Sequence, residues 1–389
     1  MKNTKDPLKI LYLTYGRVSG VCRSLGDALS HRGQDVRIVD VGNEINYRTK
    51  KYLHLFKHRN LWNACLAIAQ FGYDWRRHYK KTSFAFQQMS RAAEKVLQEN
   101  SGDYDIILQS GTLFSPGTDF KKRKYFLYLD HTYAISRGYD RSEGLRVPLS
   151  LPSGWQEMEK EVYENAKKIF AYSVHVKNSL INDYGIKEDS VVVAGAGSNI
   201  EVSSLEDKRY DGKTVLFVGL DFQRKGGPVL LKAFEIVKKE IPECRLYIVG
   251  SNLRVRQEGV IVKGVVTPSE LAPLYESSTL FVLPTIREPF GLVFLEAMAH
   301  GLPCIGTDIE AVPEIIEDGI TGFIVPAEGH LALARRMISL LRDRPLMEKM
   351  GRAGYRKVST LYNWDKVAER MLREFQDSAH RPDRRQAES

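Results

Sequence analysis

Strand-length apolar runs alternate with amphipathic stretches along this chain. Leu8–Leu13 reads as a strand, and Gly20–Arg32 as a helix with Leu25, Ala28 and Leu29 on one face and Gly33 as its stop. Val36–Val39 follows as the next strand. The pattern restarts in the second half: Thr214–Val218 predicts a strand, Pro228–Lys239 a helix carrying Leu231, Phe234 and Val237, and Leu246–Val249 a strand ending at Gly250. Strand-then-helix alternation of this kind predicts parallel sheets covered by helices on both faces. A charged stretch poor in apolar residues, 201–212, reads as a linker between two doubly wound α/β domains.

The richest segment for chemistry is FVLPTIREPFGLVFLEAMAHGLPCIGTDIEAVPEIIEDGITGFIVP. Phe281–Leu283 predicts a buried strand, Pro284–Pro289 the loop at its carboxyl end, and Gly291–His300 a helix closed by Gly301. A loop that leaves a parallel strand and enters a helix suits anionic ligands, because the N–H groups of Phe290, Gly291 and Leu292 stand there with the positive end of the helix dipole behind them. Glu288, the Phe-Gly-Leu after it, Glu296-Ala297, Gly301-x-Pro303, Pro313-Glu314 and Thr321-Gly322 together resemble the donor-sugar signature of the retaining family 4 glycosyltransferases of the GT-B fold. The resemblance implies that Glu288 contacts donor-sugar hydroxyls and Glu296 the nucleotide ribose. It also implies two Rossmann-like domains facing across a cleft, with the acceptor on the first and the nucleotide sugar on the second. A C-terminal helix would cross back to the first domain.

The domains expected on this basis are 1–200, the linker 201–212, 213–361, a crossover helix 362–378 and a disordered tail 379–389. In the Gly219–Gly227 loop, Arg224 and Lys225 are cations at a helix start, where they oppose the helix dipole unless an anion is bound. The family places an Arg directly after the strand's Gly, and a Lys before a later Gly, on the donor diphosphate. This chain keeps the lysine as Lys225, has Leu220 in place of that arginine, and offers Arg224 as its replacement. Tyr125–Leu129 reads as a strand that delivers Asp130 and His131 at its carboxyl end, and His131 matches a family histidine that contacts the donor sugar. Gly16 and Gly20 bracket a loop resembling the family's glycine-bearing N-terminal loop, which approaches the donor phosphates.

Composition narrows the alternatives. With 389 residues the chain has room for two or three cores. Cys22, Cys65, Cys244 and Cys304 lie far apart, with no zinc-site spacing, and read as reduced core thiols. The N-terminal stretch shows no signal-type apolar region, and no window reaches the ~18 apolar residues of a spanning helix, so a cytoplasmic location is expected. Gly195-Ala196-Gly197 begins like a dinucleotide fingerprint, but Ile200 stands where the third glycine belongs, which disfavours a dehydrogenase. No cluster has the spacing of a fixed metal cage and no Gly-x-Ser-x-Gly elbow is present, so the expectation is no cofactor and no metal beyond the nucleotide diphosphate sugar itself.

Charge is uneven. Arg48, Lys50, Lys51, Lys57, Arg59, Arg76, Arg77, Lys80 and Lys81 face a single acid, Asp74, so +8 of the net +9 lies between residues 48 and 81. Aromatic residues are interleaved there, which suits peripheral contact with an anionic membrane as well as an ordinary solvated basic helix. No nucleic-acid module accompanies the charge. The expected activity is transfer of a sugar, with retention, from a nucleotide diphosphate donor to a glycan, lipid-linked or small-molecule acceptor. Such a reaction would serve polysaccharide or glycolipid biosynthesis. A nucleotide-sugar epimerase, a phosphorylase and a catalytically silent sugar-nucleotide-binding protein stay open as alternatives.

Overall fold

The computed structural model describes residues 6–16, 20–44, 58–72, 75, 79–137, 154–200, 204–206 and 208–380. Contacts divide the chain into two compact units, residues 1–195 with 367–389, and residues 196–366.

The first unit is built on six parallel strands: β1 (Lys9–Thr14), β2 (Asp35–Asp40), β3 (Ile106–Ser110), β4 (Tyr125–Leu129), β5 (Lys168–Ala171) and β6 (Val191–Val193), in the order β2-β1-β3-β4-β5-β6. β4, Tyr-Phe-Leu-Tyr-Leu, is buried at all five positions, as a strand covered on both faces requires. β2 lies at an edge, and Asp35, Arg37 and Asp40 keep it polar; Ile38 is 40% exposed. Helices Val21–His31, Ser83–Glu99, Trp155–Asn165 and Val174–Asn182 are amphipathic and carry buried apolar faces.

The last helix, Trp364–His380, returns its residues from Val367 onward to this unit, as the resemblance implies. Phe375 packs edge-on against Phe126 and Phe170 at ring-centroid distances of 4.7 and 5.7 Å. Arg370 donates to the Ala194 carbonyl at 2.7 Å, and Glu374 pairs with Lys168 at 3.6 Å. Complete burial of Phe375 contributes about 2 kcal/mol of this docking. The helix runs two residues beyond the expected 378, and the remaining tail, 381–389, lies outside the described residues.

The second unit holds β7 (Thr214–Val218), β8 (Arg245–Val249), β9 (Val260–Gly264), β10 (Leu280–Val282), β11 (Cys304–Thr307) and β12 (Gly322–Val325), all parallel, in the order β12-β11-β10-β7-β8-β9. From β7 the chain builds outward through β8 and β9, then crosses back to β10 and builds the other way. The strand order therefore reverses between β7 and β10, and ligands of such sheets bind at the carboxyl ends of the strands flanking that reversal.

Two expectations need correction. The described part of the stretch read as a linker packs onto the second unit: Leu205 and Tyr210 are buried, and the Tyr210 hydroxyl donates to the Gly301 carbonyl at 2.9 Å. Lys208 Nζ donates to the carbonyls of Tyr275, Glu276 and Ser278 at 2.8–3.0 Å, closing the C-terminus of helix Pro268–Ser277, and burial lowers its pKa to about 8. Two apolar residues and one capping lysine suffice for this docking, so the charge-rich composition around them misleads. Cys65 is exposed on helix His58–Phe71 instead of lying in a core, whereas Cys22, Cys244 and Cys304 are buried; all four are free thiols.

Candidate functional site

The loops after β7 and β10 meet at the reversal in the second sheet. Gly226 makes the approach possible: it sits at φ 73°, and a Cβ there would lie 1.7 Å from the carbonyl oxygen of Pro284. Ile286 N–H donates to the Arg224 carbonyl at 3.0 Å, and Thr285 Oγ1 donates to the Arg287 carbonyl at 2.8 Å. Thr307 Oγ1 anchors the loop from β11 by donating to the Thr285 carbonyl at 2.6 Å. Both threonines are fully buried.

On this frame Lys225 and Glu288, 63 residues apart in sequence, form a direct ion pair between Nζ and Oε2. Both are buried, with side chains 11% and 8% exposed. Burial depresses the Lys225 pKa, and the Glu288 carboxylate opposes that shift. Arg224 donates from Nη1 to the Arg287 carbonyl at 2.6 Å and lies 3.7 Å from Asp221, so its guanidinium braces the β10 loop. Leu220, in place of the family's arginine, is 78% exposed.

Phe290 and Gly291 lead into helix Leu292–Ala299, with Gly291 in the left-handed region at φ 104°. The helix is closed by His300, followed by Gly301 at φ 68°. Phe290 is buried, its ring 6.3 Å from that of Tyr362. Glu296 occupies the second turn, where it accepts a hydrogen bond from the Tyr275 hydroxyl at 3.0 Å. Burial raises its pKa to about 7, with the Tyr275 bond working in the other direction. Glu296 therefore changes charge near neutrality, which its position in the sequence does not reveal.

In the first unit a cavity of about 240 Å³ opens at the carboxyl ends of β1, β3, β4 and β5, lined by Tyr15, Ser110, Asp130, His131 and Tyr172 among others. The structure thus brings His131 to a strand-end cavity, with Nε2 2.5 Å from Ser136 Oγ. Sequence reasoning missed the buried acid at its floor. Glu159 accepts from Thr112 Oγ1 (2.9 Å), Tyr184 Oη (2.6 Å) and Tyr133 N–H (3.1 Å), and burial raises its pKa. Its helical neighbours, among them Glu157, Lys160, Glu161 and Glu164, suggest only a solvated acid.

Gly16 and Gly20 both lie at φ 77°; Gly16 N–H donates to Asp40 Oδ1 at 2.9 Å, and Gly20 caps helix Val21–His31. Residues 17–19 between them lie outside the described residues. Of the basic segment, Arg48, Lys50, Lys51, Lys57, Arg76 and Arg77 also fall outside them, and of Arg59 only the helical backbone is described. Lys80 stands 4.7 Å over the Tyr15 ring and Lys81 lines the first unit's cavity, so these two cations lie beside that cavity. Among the described residues no cluster of three or more His, Cys, Asp or Glu side chains is arranged to hold a metal ion, and no helix is long and apolar enough to cross a membrane.

Comparison with known proteins agrees with this geometry. Residues 212–343, which carry the Lys225–Glu288 pair, match the family model Glycosyl transferases group 1. A phosphatidyl-myo-inositol mannosyltransferase of Mycobacterium leprae (strain TN) is 36% identical over 178 residues, covering 43% of this chain and 47% of its own length. A D-inositol 3-phosphate glycosyltransferase of Paenarthrobacter aurescens (strain TC1) is 29% identical over 251 residues, covering 58% and 61%. The chain thus spans about half the length of the curated relatives it matches. Among solved structures, the sucrose-phosphate synthase of Thermosynechococcus elongatus shares the fold at TM-score 0.69 and 20% identity, covering 95% of this chain and 99% of that one. Residues 212–343, built around the strand-order reversal of the second sheet, are thus similar to the group 1 glycosyl transferases, and the two six-stranded parallel sheets share the GT-B fold.

Proposed function

We propose that the protein transfers a sugar, with retention, from a nucleotide diphosphate donor to a hydroxyl of its acceptor. The observation that carries this reading is the buried Lys225–Glu288 pair at the β7/β10 reversal. A diphosphate arriving there competes for the ammonium. It takes Lys225 as its counter-charge and releases the Glu288 carboxylate to accept hydrogen bonds from sugar hydroxyls. The anomeric C–O bond breaks with its electron pair on the diphosphate, the acceptor oxygen forms the new bond on the same face, and the acceptor proton passes to the departing phosphate oxygen. Lys225, Arg224 and the N–H groups of Phe290, Gly291 and Leu292 stabilise the charge that develops on the leaving group. Glu296 accepts from the nucleotide ribose. Gly16 and Gly20 let the N-terminal loop approach the phosphates, and His131 binds substrate hydroxyls at the first unit's cavity.

That cavity, with Tyr15, Tyr133 and Trp155 offering aromatic faces and Ser110, Asp130 and Lys81 offering polar atoms, suits a ring of hydroxyls. The names of the relatives support a cyclitol or glycolipid acceptor. Peripheral contact with anionic membrane belongs to the same proposal. Helix His58–Phe71, which lies within the basic segment in sequence, exposes Leu61, Trp62 and Ile68, at 49%, 60% and 48%. Melting curves with UDP-glucose, UDP-N-acetylglucosamine, GDP-mannose and ADP-glucose test the donor assignment. A ligand at a hundred times its dissociation constant stabilises by about 2.7 kcal/mol. Stabilisation by none of them would sink the reading, and epimer formation from donor alone would replace it with an epimerase.

A further inference from the structure

Glu310 has no place in the donor signature, yet it occupies an unusual position. It follows β11 in the loop before helix Val312–Ile315 and adopts φ 44°, one of two left-handed non-glycine residues among those described. A glycine would hold that backbone without strain, so the glutamate there points to a use for its side chain. The side chain is 1% exposed. Its Oε2 accepts the backbone N–H of Glu288, and its Oε1 lies 3.9 Å from Arg287 Nε, taking no hydrogen bond among the described residues. Thr285, Thr307 and Arg224 fix the loop only as far as Arg287; Glu310 takes hold of the Glu288 main chain itself. A row of alternating charge results, in which Lys225 meets the Glu288 carboxylate while the Glu288 backbone and Arg287 rest on Glu310.

We infer that Glu310 is a positioning residue for the transfer reaction, holding the Glu288 backbone so that its carboxylate points at the donor sugar. The inference rests on the donor reading above. Its role is selective: it acts through Glu288 on the sugar and leaves the diphosphate contacts of Lys225 and Arg224 intact.

Glu310→Gly removes the carboxylate and suits the left-handed backbone. Glu310→Asn tolerates the same backbone but is one methylene too short to reach Glu288. Glu310→Gln keeps an acceptor oxygen at full length. The readouts are steady-state hydrolysis of whichever of the four nucleotide sugars most stabilises the wild type, and calorimetric binding of the matching nucleoside diphosphate. For Glu310→Gly and Glu310→Asn, kcat is expected to fall about tenfold to a hundredfold, the scale of a small misplacement of a reacting group. Nucleoside diphosphate affinity should stay within about threefold, and Glu310→Gln should recover most of the kcat. Wild-type kcat in both shortened variants would overturn the inference while leaving the donor reading standing. Equal losses in kcat and in diphosphate affinity would overturn it in favour of general support of the domain. A wild type that neither binds nor hydrolyses any of the four would remove the donor reading and this role together.

Discussion

Removing Lys225 tests how the second unit holds a charged group away from water. In Lys225→Met the volume is nearly kept, but the Glu288 carboxylate, 8% exposed, loses the ammonium that neutralises it. Breaking a buried pair by deleting one partner costs about 3–5 kcal/mol, because the remaining charge is left uncompensated. Arg287 precedes Glu288 in the same loop and Arg224 braces that loop from the one after β7, which places the expected loss near the lower bound, about 3 kcal/mol. For a unit of this size that corresponds to a melting transition lower by ~6–12 °C. Glu288→Gln strands the ammonium instead and should cost about 2 kcal/mol, less because burial already lowers the Lys225 pKa and lets the proton leave. The double variant has no stranded charge, so its loss should fall short of the sum of the singles by about 2 kcal/mol. Melting curves and denaturant titrations on the four proteins close the cycle. Additive losses, or a Lys225→Met protein as stable as the wild type, would refute a pair that stabilises by mutual neutralisation.

Two further outcomes follow from Glu296 and from the basic segment. Because burial raises the Glu296 pKa from 4.5 to about 7, the folded state binds more protons than the unfolded state between those values. Stability therefore falls as pH rises through that window, by at most ~3 kcal/mol, and Glu296→Gln should flatten the dependence in pH-series melting curves. Donor binding that uses the ionised carboxylate should also release a fraction of a proton near pH 6.5, visible as buffer-dependent binding enthalpy; identical enthalpies in all buffers would remove the ribose role. Cosedimentation should require anionic vesicles and weaken with salt, each cation near the surface contributing about 1 kcal/mol. Replacing Trp62 and Ile68 by Ser should reduce it without changing donor affinity, and absence of binding to anionic vesicles at low salt would retire membrane contact.

The parts of this protein that sequence reveals are those whose cause is local. β4 and β7 are found where Tyr125–Leu129 and Thr214–Val218 predict them, since a strand buried on both faces must be apolar throughout. Helix Gly227–Glu240 extends the predicted segment by one residue at each end, the usual latitude of helix termini. Lys225 and Glu288 could each be singled out as candidates because a cation or an acid beside a glycine turn at a strand end suits few tasks, but their meeting depends on the strand order. The raised pKa of Glu296 comes from its burial in the folded unit, against the hydrogen bond from Tyr275, 21 residues earlier and on a different helix. Lys81 reads as part of a basic run, and only folding of the loop before helix Ser83–Glu99 carries it to the cavity that also holds His131. Glu310 is the clearest limit. Nothing in Asp308-Ile309-Glu310-Ala311 distinguishes a surface acid from a buried one, because the distinction lies in a left-handed backbone and in a main-chain N–H 22 residues away. A signature of ligand-contacting residues marks the atoms that touch substrate, whereas the atoms that aim them can come from wherever the sheet order brings a loop near. In this fold the place to look for such residues is the strand adjacent to the reversal, and Glu310 sits at the end of the strand next to β10.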